Sequence, residues 1–250
     1  MNRLLPLALL SILQLRELSA QLPTIKPAGV VNGASFSSSA PLAPGLIFSV
    51  FGAGAGLTDG SRAGAGGTLP TRLAGARLLV NGVAAPLFFA SPDQITAQFP
   101  VEMSAITSAS LEVEVQSPNG TATSPAVTVP VASFSPGIFT QDQNGSGPGS
   151  IIRASDLTKI CPPARFDCSA NPAAPGEAVT IVVTGLGAVN GPWVSGVPAQ
   201  SASPTPTAPL VTIGGVTILP NTRTGAQRAS RAMVCRKGTL CNVQLSVAEL

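Results

Sequence analysis

The chain of 250 residues has no histidine and no tyrosine, and only 10% of its side chains are charged. Without histidine, neither a Ser-His-Asp nor a Cys-His relay can be built, and no imidazole is available to a metal. Aromatic residues make up 4% of the chain and the net charge is only +3. No basic stripe is interleaved with aromatics, so a dedicated nucleic-acid binder is excluded. The shortage of charge is not a shortage of core material. Hydrophobic residues make up 44% and mean hydropathy is +0.38, outside the composition of disordered chains. What is abundant is glycine and proline, 26 and 24 residues, against average usage of roughly 7% and 5%.

The N-terminus sets a compartment. Met1-Asn2-Arg3 places one positive charge ahead of an apolar run from Leu4 to Leu15, and the small residues Ser19 and Ala20 follow. That order is the tripartite secretory signal, with cleavage before Gln21. A short buried helix is the alternative reading. The run is too short for a membrane span, which needs about 20 residues, and no later apolar segment is long enough. The expectation is a signal peptide over residues 1–20 and a mature chain that is secreted or held at the cell surface or in the periplasm, with no transmembrane anchor. Its length suits one large all-β domain or two small ones.

Export bears on the four cysteines, Cys161, Cys168, Cys235 and Cys241. In an oxidising compartment an even count reads as disulfides, and four cysteines allow three pairings. The two local pairings, Cys161–Cys168 and Cys235–Cys241, would each close a short loop containing turn-forming residues. A zinc site of four thiolates is disfavoured, because neither pair has the usual C-x2-4-C spacing.

Along the chain, short apolar or alternating runs are separated by Gly, Pro, Asn and Ser. They are Leu46 to Phe51, Ala76 to Val80, Val83 to Ala90, Leu111 to Gln116, Ala126 to Val131, Ala178 to Thr184 and Leu210 to Ile213. Between Val80 and Val83, Asn81-Gly82 is a strong hairpin signal, since both positions of a type I′ turn need φ > 0. The only helical candidate beyond the signal is a weak turn near Ile151 to Leu157. Spacing and β-branched content predict a β-sandwich. An internal echo supports two modules. Pro44-Gly45 opens a strand that ends at Gly52, and Pro175-Gly176 opens another that ends at Gly185. The flexible composition of Asp142 to Ser150 marks a linker between them.

Candidate chemistry is sparse. Glu112 and Glu114 share one strand face, but glycoside hydrolysis needs two carboxyls across a cleft, and a solvated strand face explains them. Leu57-Thr58-Asp59-Gly60 lacks the second motif that an aspartic-protease pair requires. Asp142, Asn144 and Ser146 have the alternate oxygen spacing of a calcium loop, but the twelfth position is Arg153 rather than Glu. The glycine run Gly52 to Gly56 lacks the Lys-Ser/Thr of a phosphate loop, and there is no Gly-x-Ser-x-Gly elbow. Phe88 and Phe89 are expected on opposite faces of one strand. Trp193, the single tryptophan, is either a packing residue or a binding contact in a loop.

Several runs carry a family resemblance: Gly29 to Phe36, Ala43 to Gly52, the long block Leu69 to Pro100, Ser135 to Phe139, Asn171 to Gly176 and Thr184 to Gly187. Together they resemble the Solibacter-type uncharacterised C-terminal domain family of exported acidobacterial proteins, over roughly residues 26–220. The resemblance implies export and a strand pattern loosely similar to immunoglobulin-like TIG modules. It brings no established catalytic residues. After Pro220 the chain departs from the family pattern. The last 30 residues hold five bases and one acid (+4), whereas residues 1–220 hold nine bases and ten acids (−1). A truncated or frameshifted end explains the shift, and would leave an exposed strand edge. A basic arm for an anionic surface is the alternative.

The expectation is therefore an all-β chain of two immunoglobulin-like sandwich modules in tandem, the second incomplete. Residues 1–20 are the signal and 21–140 an N-terminal segment with the first module. Residues 141–175 are a linker carrying the Cys161/Cys168 loop, and 176–250 are the partial second module with its basic tail. Its function is expected to be that of a non-catalytic structural or adhesion-like module for a protein or glycan partner. A carbohydrate-binding accessory domain is the alternative, and a hydrolase with an unrecognised site comes third. No catalytic residue, cofactor or metal ligand is assigned.

Overall fold

The structure is a computed structural model and describes residues 22–52, 57, 60–117, 120–161, 171–174, 177–199, 203–213, 216–218 and 243–247. It is all-β. The first ten strands are β1 (Val30–Asn32), β2 (Ile47–Phe51), β3 (Ser61–Arg62), β4 (Ala76–Val80), β5 (Val83–Ala84), β6 (Leu87–Ala90), β7 (Gln94–Gln98), β8 (Ser108–Ser117), β9 (Gly120–Thr123) and β10 (Val127–Pro130). One sheet runs β1-β2-β7-β6-β3 and a second β10-β8-β4-β5, with β9 also on β8. Every pairing among these ten strands is antiparallel.

Period-2 alternation explains the core. Phe48 and Val50 of β2, Ile95 and Ala97 of β7, Leu78 and Val80 of β4, and Leu111, Val113 and Val115 of β8 form one buried cluster. Phe48 and Phe99 meet edge-to-face, with ring centroids 6.2 Å apart. Among the intervening residues of β8 and β4, Glu114 and Arg77 stand directly opposite each other and form an ion pair of 3.1 Å.

Three expectations are corrected. Val83 to Ala90 is not one strand. β5 belongs to the β4 sheet and β6 to the β7 sheet, and Ala85-Pro86 carries the chain from one to the other. Proline has no N–H for a ladder, which suits it to a crossover. Pro86 instead accepts a bond from the Gln98 N–H (2.9 Å), while Ala85 closes on the Leu78 carbonyl (2.8 Å). Phe88 lies where the β6–β7 register shifts, between Leu87 and Phe89, so simple face alternation fails there and both phenylalanines are half-buried. Of Ile151 to Leu157, only the second part turns: residues 154–156 form a turn that the Leu157 N–H closes on the Arg153 carbonyl (3.1 Å). Ile151–Arg153 is a strand, whose β-branched residues pair with a later strand.

The remaining strands are β11 (Gly137–Ile138), β12 (Ile151–Arg153), β13 (Val179–Thr184), β14 (Val211–Ile213), β15 (Val216–Ile218) and β16 (Val243–Val247). β13 is central to a third sheet. β11 and β12 follow each other along one side of it, antiparallel, and β16 lies on the other side, parallel. β14 and β15 pair with each other. Val179, Ile181 and Val183 alternate along β13 to make a small buried cluster, flanked by Ile151, Ile160, Leu186 and Val211.

This second half is fastened to the first along a seam of close backbone approach. Beyond the end of β1, the carbonyl of Ile47 accepts from the Gly33 N–H (2.9 Å), and its own N–H donates to the buried hydroxyl of Thr184 (2.8 Å). A buried N–H must be paired, and the end of β13 supplies the partner that β1 does not. Asn32, also buried, accepts from the Ala34 and Ser35 N–H groups and donates to the Ser135 carbonyl at 3.1 Å. Next to Thr184, Gly185 has φ +77°, and a Cβ there would overlap the Ser135 carbonyl oxygen and meet Leu46 at 2.8 Å. Gly185→Ala is therefore expected to cost about 3 kcal/mol or more, from left-handed strain and overpacking together. Gly82 has φ +80° and open space around it, so Gly82→Ala should cost only about 1–2 kcal/mol. Equal losses for the two variants in denaturant unfolding would refute the seam contact.

Candidate functional site

Asn81 and Gly82, with φ of 49° and 80°, turn β4 into β5. Asn81 also locks the turn to β8: its N–H donates to the Ser110 carbonyl (2.8 Å) and its side-chain oxygen accepts the Ser110 N–H (2.7 Å). The pair is architectural.

Trp193 is half-buried, and the benzo edge of its indole sits on Gly45, where any Cβ would collide with it. The ring is thus packed across the seam. The adjoining Ser195 and Gly196 anchor the same loop. Ser195 Oγ donates to Glu102 Oε2 (2.5 Å) and accepts the Val101 N–H (2.9 Å). The Gly196 N–H donates to Gln98 Oε1 (2.6 Å), and the Gly196 carbonyl accepts the Leu69 N–H (2.8 Å).

Cys161 is buried, exchanges backbone bonds of 3.2 Å with Asn171, and is disulfide-bonded. Cys168, Cys235 and Cys241 lie outside the described residues, as do Thr58, Asp59 and most of the Gly52 to Gly56 run. In the Asp142–Ser146 turn, the Asn144 side-chain oxygen accepts both the N–H (2.9 Å) and the hydroxyl (3.0 Å) of Ser146. Among the described residues there is no group of three or more metal-ligating side chains. Arg153 is paired with Glu177 and also donates to the Pro172 carbonyl (2.8 Å). No helix among the described residues is long and apolar enough to cross a membrane.

One surface gathers groups suited to recognition, and it centres on a residue that the sequence reading did not single out. β3 is the edge of its sheet. Arg62 stands opposite Phe89 of β6, and its guanidinium lies over the Phe89 ring, 5.2 Å from the centroid. Among the described residues no ion pair holds Arg62, whereas Arg77 and Arg153 each have a carboxylate. Beside it, Arg62, Ala63, Gly64, Ala65, Leu69 and Phe88 line an open depression of about 190 Å³. In sequence, Arg62 is a lone base in a glycine-rich run. Only the pairing with Phe89, 27 positions on, gives it a setting. The arrangement offers a cation, an apolar wall and strand backbone at a sheet edge.

The chain matches no protein-family model, no curated protein and no solved structure.

The Glu102–Ser195 contact makes the seam pH-sensitive. Partial burial works against ionisation of Glu102, but the hydrogen bonds from Ser195 outweigh it and hold the carboxyl below its usual 4.5. A depressed folded pKa means stability that is present above the unfolded value and lost as pH falls through the folded one. Acid destabilisation should therefore set in below pH 4.5, and Glu102→Gln should flatten that slope. Asp156, lowered by the N–H and hydroxyl of Thr158, adds a slope of the same sign that this variant leaves in place. Urea unfolding of both proteins across pH 3–6 makes the comparison. Identical slopes would remove Glu102 from the seam's energetics.

Proposed function

We propose that this chain is an exported, non-catalytic interaction module, built as two immunoglobulin-like sandwiches in tandem, that presents strand edges and loops to a protein partner. The observation that carries the reading is where four of the seven carboxylates among the described residues are spent. Glu114 is paired with Arg77, Glu177 with Arg153, Glu102 is bonded to Ser195 and Asp156 to Thr158. Acids committed to holding strands and loops are poor candidates for general acid–base work, which needs a group free to exchange a proton with substrate. The carbohydrate reading is weakened by Trp193, whose ring packs on Gly45 instead of standing as a platform for a sugar.

Export and the disulfides belong to the same reading, as does membership of the Solibacter-type family that the sequence resembles. The Cys161–Asn171 bridge brings the chain back beside Cys161 three residues after Cys168, which favours the Cys161–Cys168 pairing. The test uses protein recovered after export. It should begin at Gln21, contain no free thiol, and turn over none of a panel of aryl esters, aryl glycosides and peptides. Turnover that is lost on Glu112→Gln would overturn the non-catalytic reading. Four free thiols, or a retained Met1, would overturn the export reading.

A further inference from the structure

We propose that the open edge of β3 is a docking site for an extended, acidic strand of another protein. The proposal deepens the interaction-module reading and rests on it.

The backbone makes the first part of the case. Ser61 pairs with Ala90 and Arg62 with Phe89, and the Ala63 N–H donates to the Phe88 carbonyl at 2.9 Å. In an antiparallel ladder, hydrogen-bonded and non-hydrogen-bonded pairs alternate. Ala63 bonds towards β6, so the N–H and carbonyl of Arg62 point away from β6, out of the sheet. That donor and acceptor form a template for strand addition. The Arg62 side chain also acts against unwanted pairing, since a charge at an edge repels a cationic or purely apolar strand.

Charge and shape make the second part. The Arg62 guanidinium is held on the Phe89 ring and, among the described residues, pairs with no carboxylate, so it is pre-positioned to receive one. Side chains of an added strand would alternate between the two faces. On the face of Arg62 and Phe89 an acid meets the cation. Beside that cation, a small apolar side chain meets the depression that Arg62 itself lines with Ala63, Leu69 and Phe88. The matching partner is a strand that alternates acidic and β-branched residues. This chain has such a segment, Leu111 to Gln116, but it is internal, with β4 on one side and β9 and β10 on the other. A folded second copy therefore cannot supply it, and the partner is a different protein.

The test is fluorescence anisotropy with a labelled, end-blocked peptide of about eight residues alternating glutamate and valine, within the length of an ordinary strand. Saturable binding to the native protein is expected. Affinity should fall about tenfold or more for Arg62→Glu, for a lysine–valine peptide of the same length, and for the glutamate–valine peptide N-methylated at alternate positions. Arg62 is exposed at a sheet edge, so its replacement leaves the core intact. No binding by the glutamate–valine peptide, or equal binding to Arg62→Glu or by the N-methylated peptide, would overturn the proposal. Those results would leave the non-catalytic reading standing, since only turnover overturns that.

Discussion

The N–H of Ile47 has nowhere to go within its own sheet. β1 ends at Asn32, one position too early to satisfy it, and the hydroxyl of Thr184 closes the gap from 137 residues away. That bond brings the end of β13 against the start of β2, and the surrounding residues must tolerate the approach. Gly185 lies against the Ser135 carbonyl and Gly137 against the side chain of Asn32, where a Cβ on Gly137 would come within 2.5 Å of Oδ1. Asn32 in turn donates through its amide to Ser135 and accepts twice at its side-chain oxygen. A lost hydrogen bond here would leave a buried polar group unpaired, which costs more than the bond itself contributes.

Several of the runs singled out in the sequence thereby acquire a physical reason. Gly29 to Phe36 contains the end of β1 and Asn32. Ala43 to Gly52 contains Gly45 and β2. Ser135 to Phe139 contains the Asn32 acceptor and β11, and Thr184 to Gly187 contains the hydroxyl that caps Ile47. These four runs, spread over more than 150 positions, meet at one seam. A second line of contacts joins the halves farther along, where Trp193 seats on Gly45 and Ser195 bonds Glu102. The high glycine content is thus partly a requirement of packing two β units backbone to backbone, as well as a source of turns.

The all-β class and many of its strands were legible because they depend on neighbours in sequence. Strict alternation marked Leu111 to Gln116, and Asn-Gly marked the β4–β5 turn. The sheet change at Ala85-Pro86 was not legible, since β5 and β6 read as one apolar run until their partners are known. Nor was β12: its two isoleucines become a strand only through β13, nearly thirty residues later. The β3 edge was hidden for the same reason. Arg62 looks like a solvated base until Phe89 is placed under it and Phe88 beside it. Periodicity identifies elements, whereas sites made by distant pairs depend on register.

If the seam is the constraint on which the rest depends, the two halves must unfold together. Trp193 is the only tryptophan and sits on the seam, so its fluorescence reports that contact while far-ultraviolet circular dichroism reports the strands of both halves. Guanidinium unfolding followed by both signals is the most direct measurement. The account predicts coincident transitions with one midpoint, as a single cooperative unit requires. A Trp193 transition completed before the loss of strand signal would show halves that part while still folded, and would contradict it.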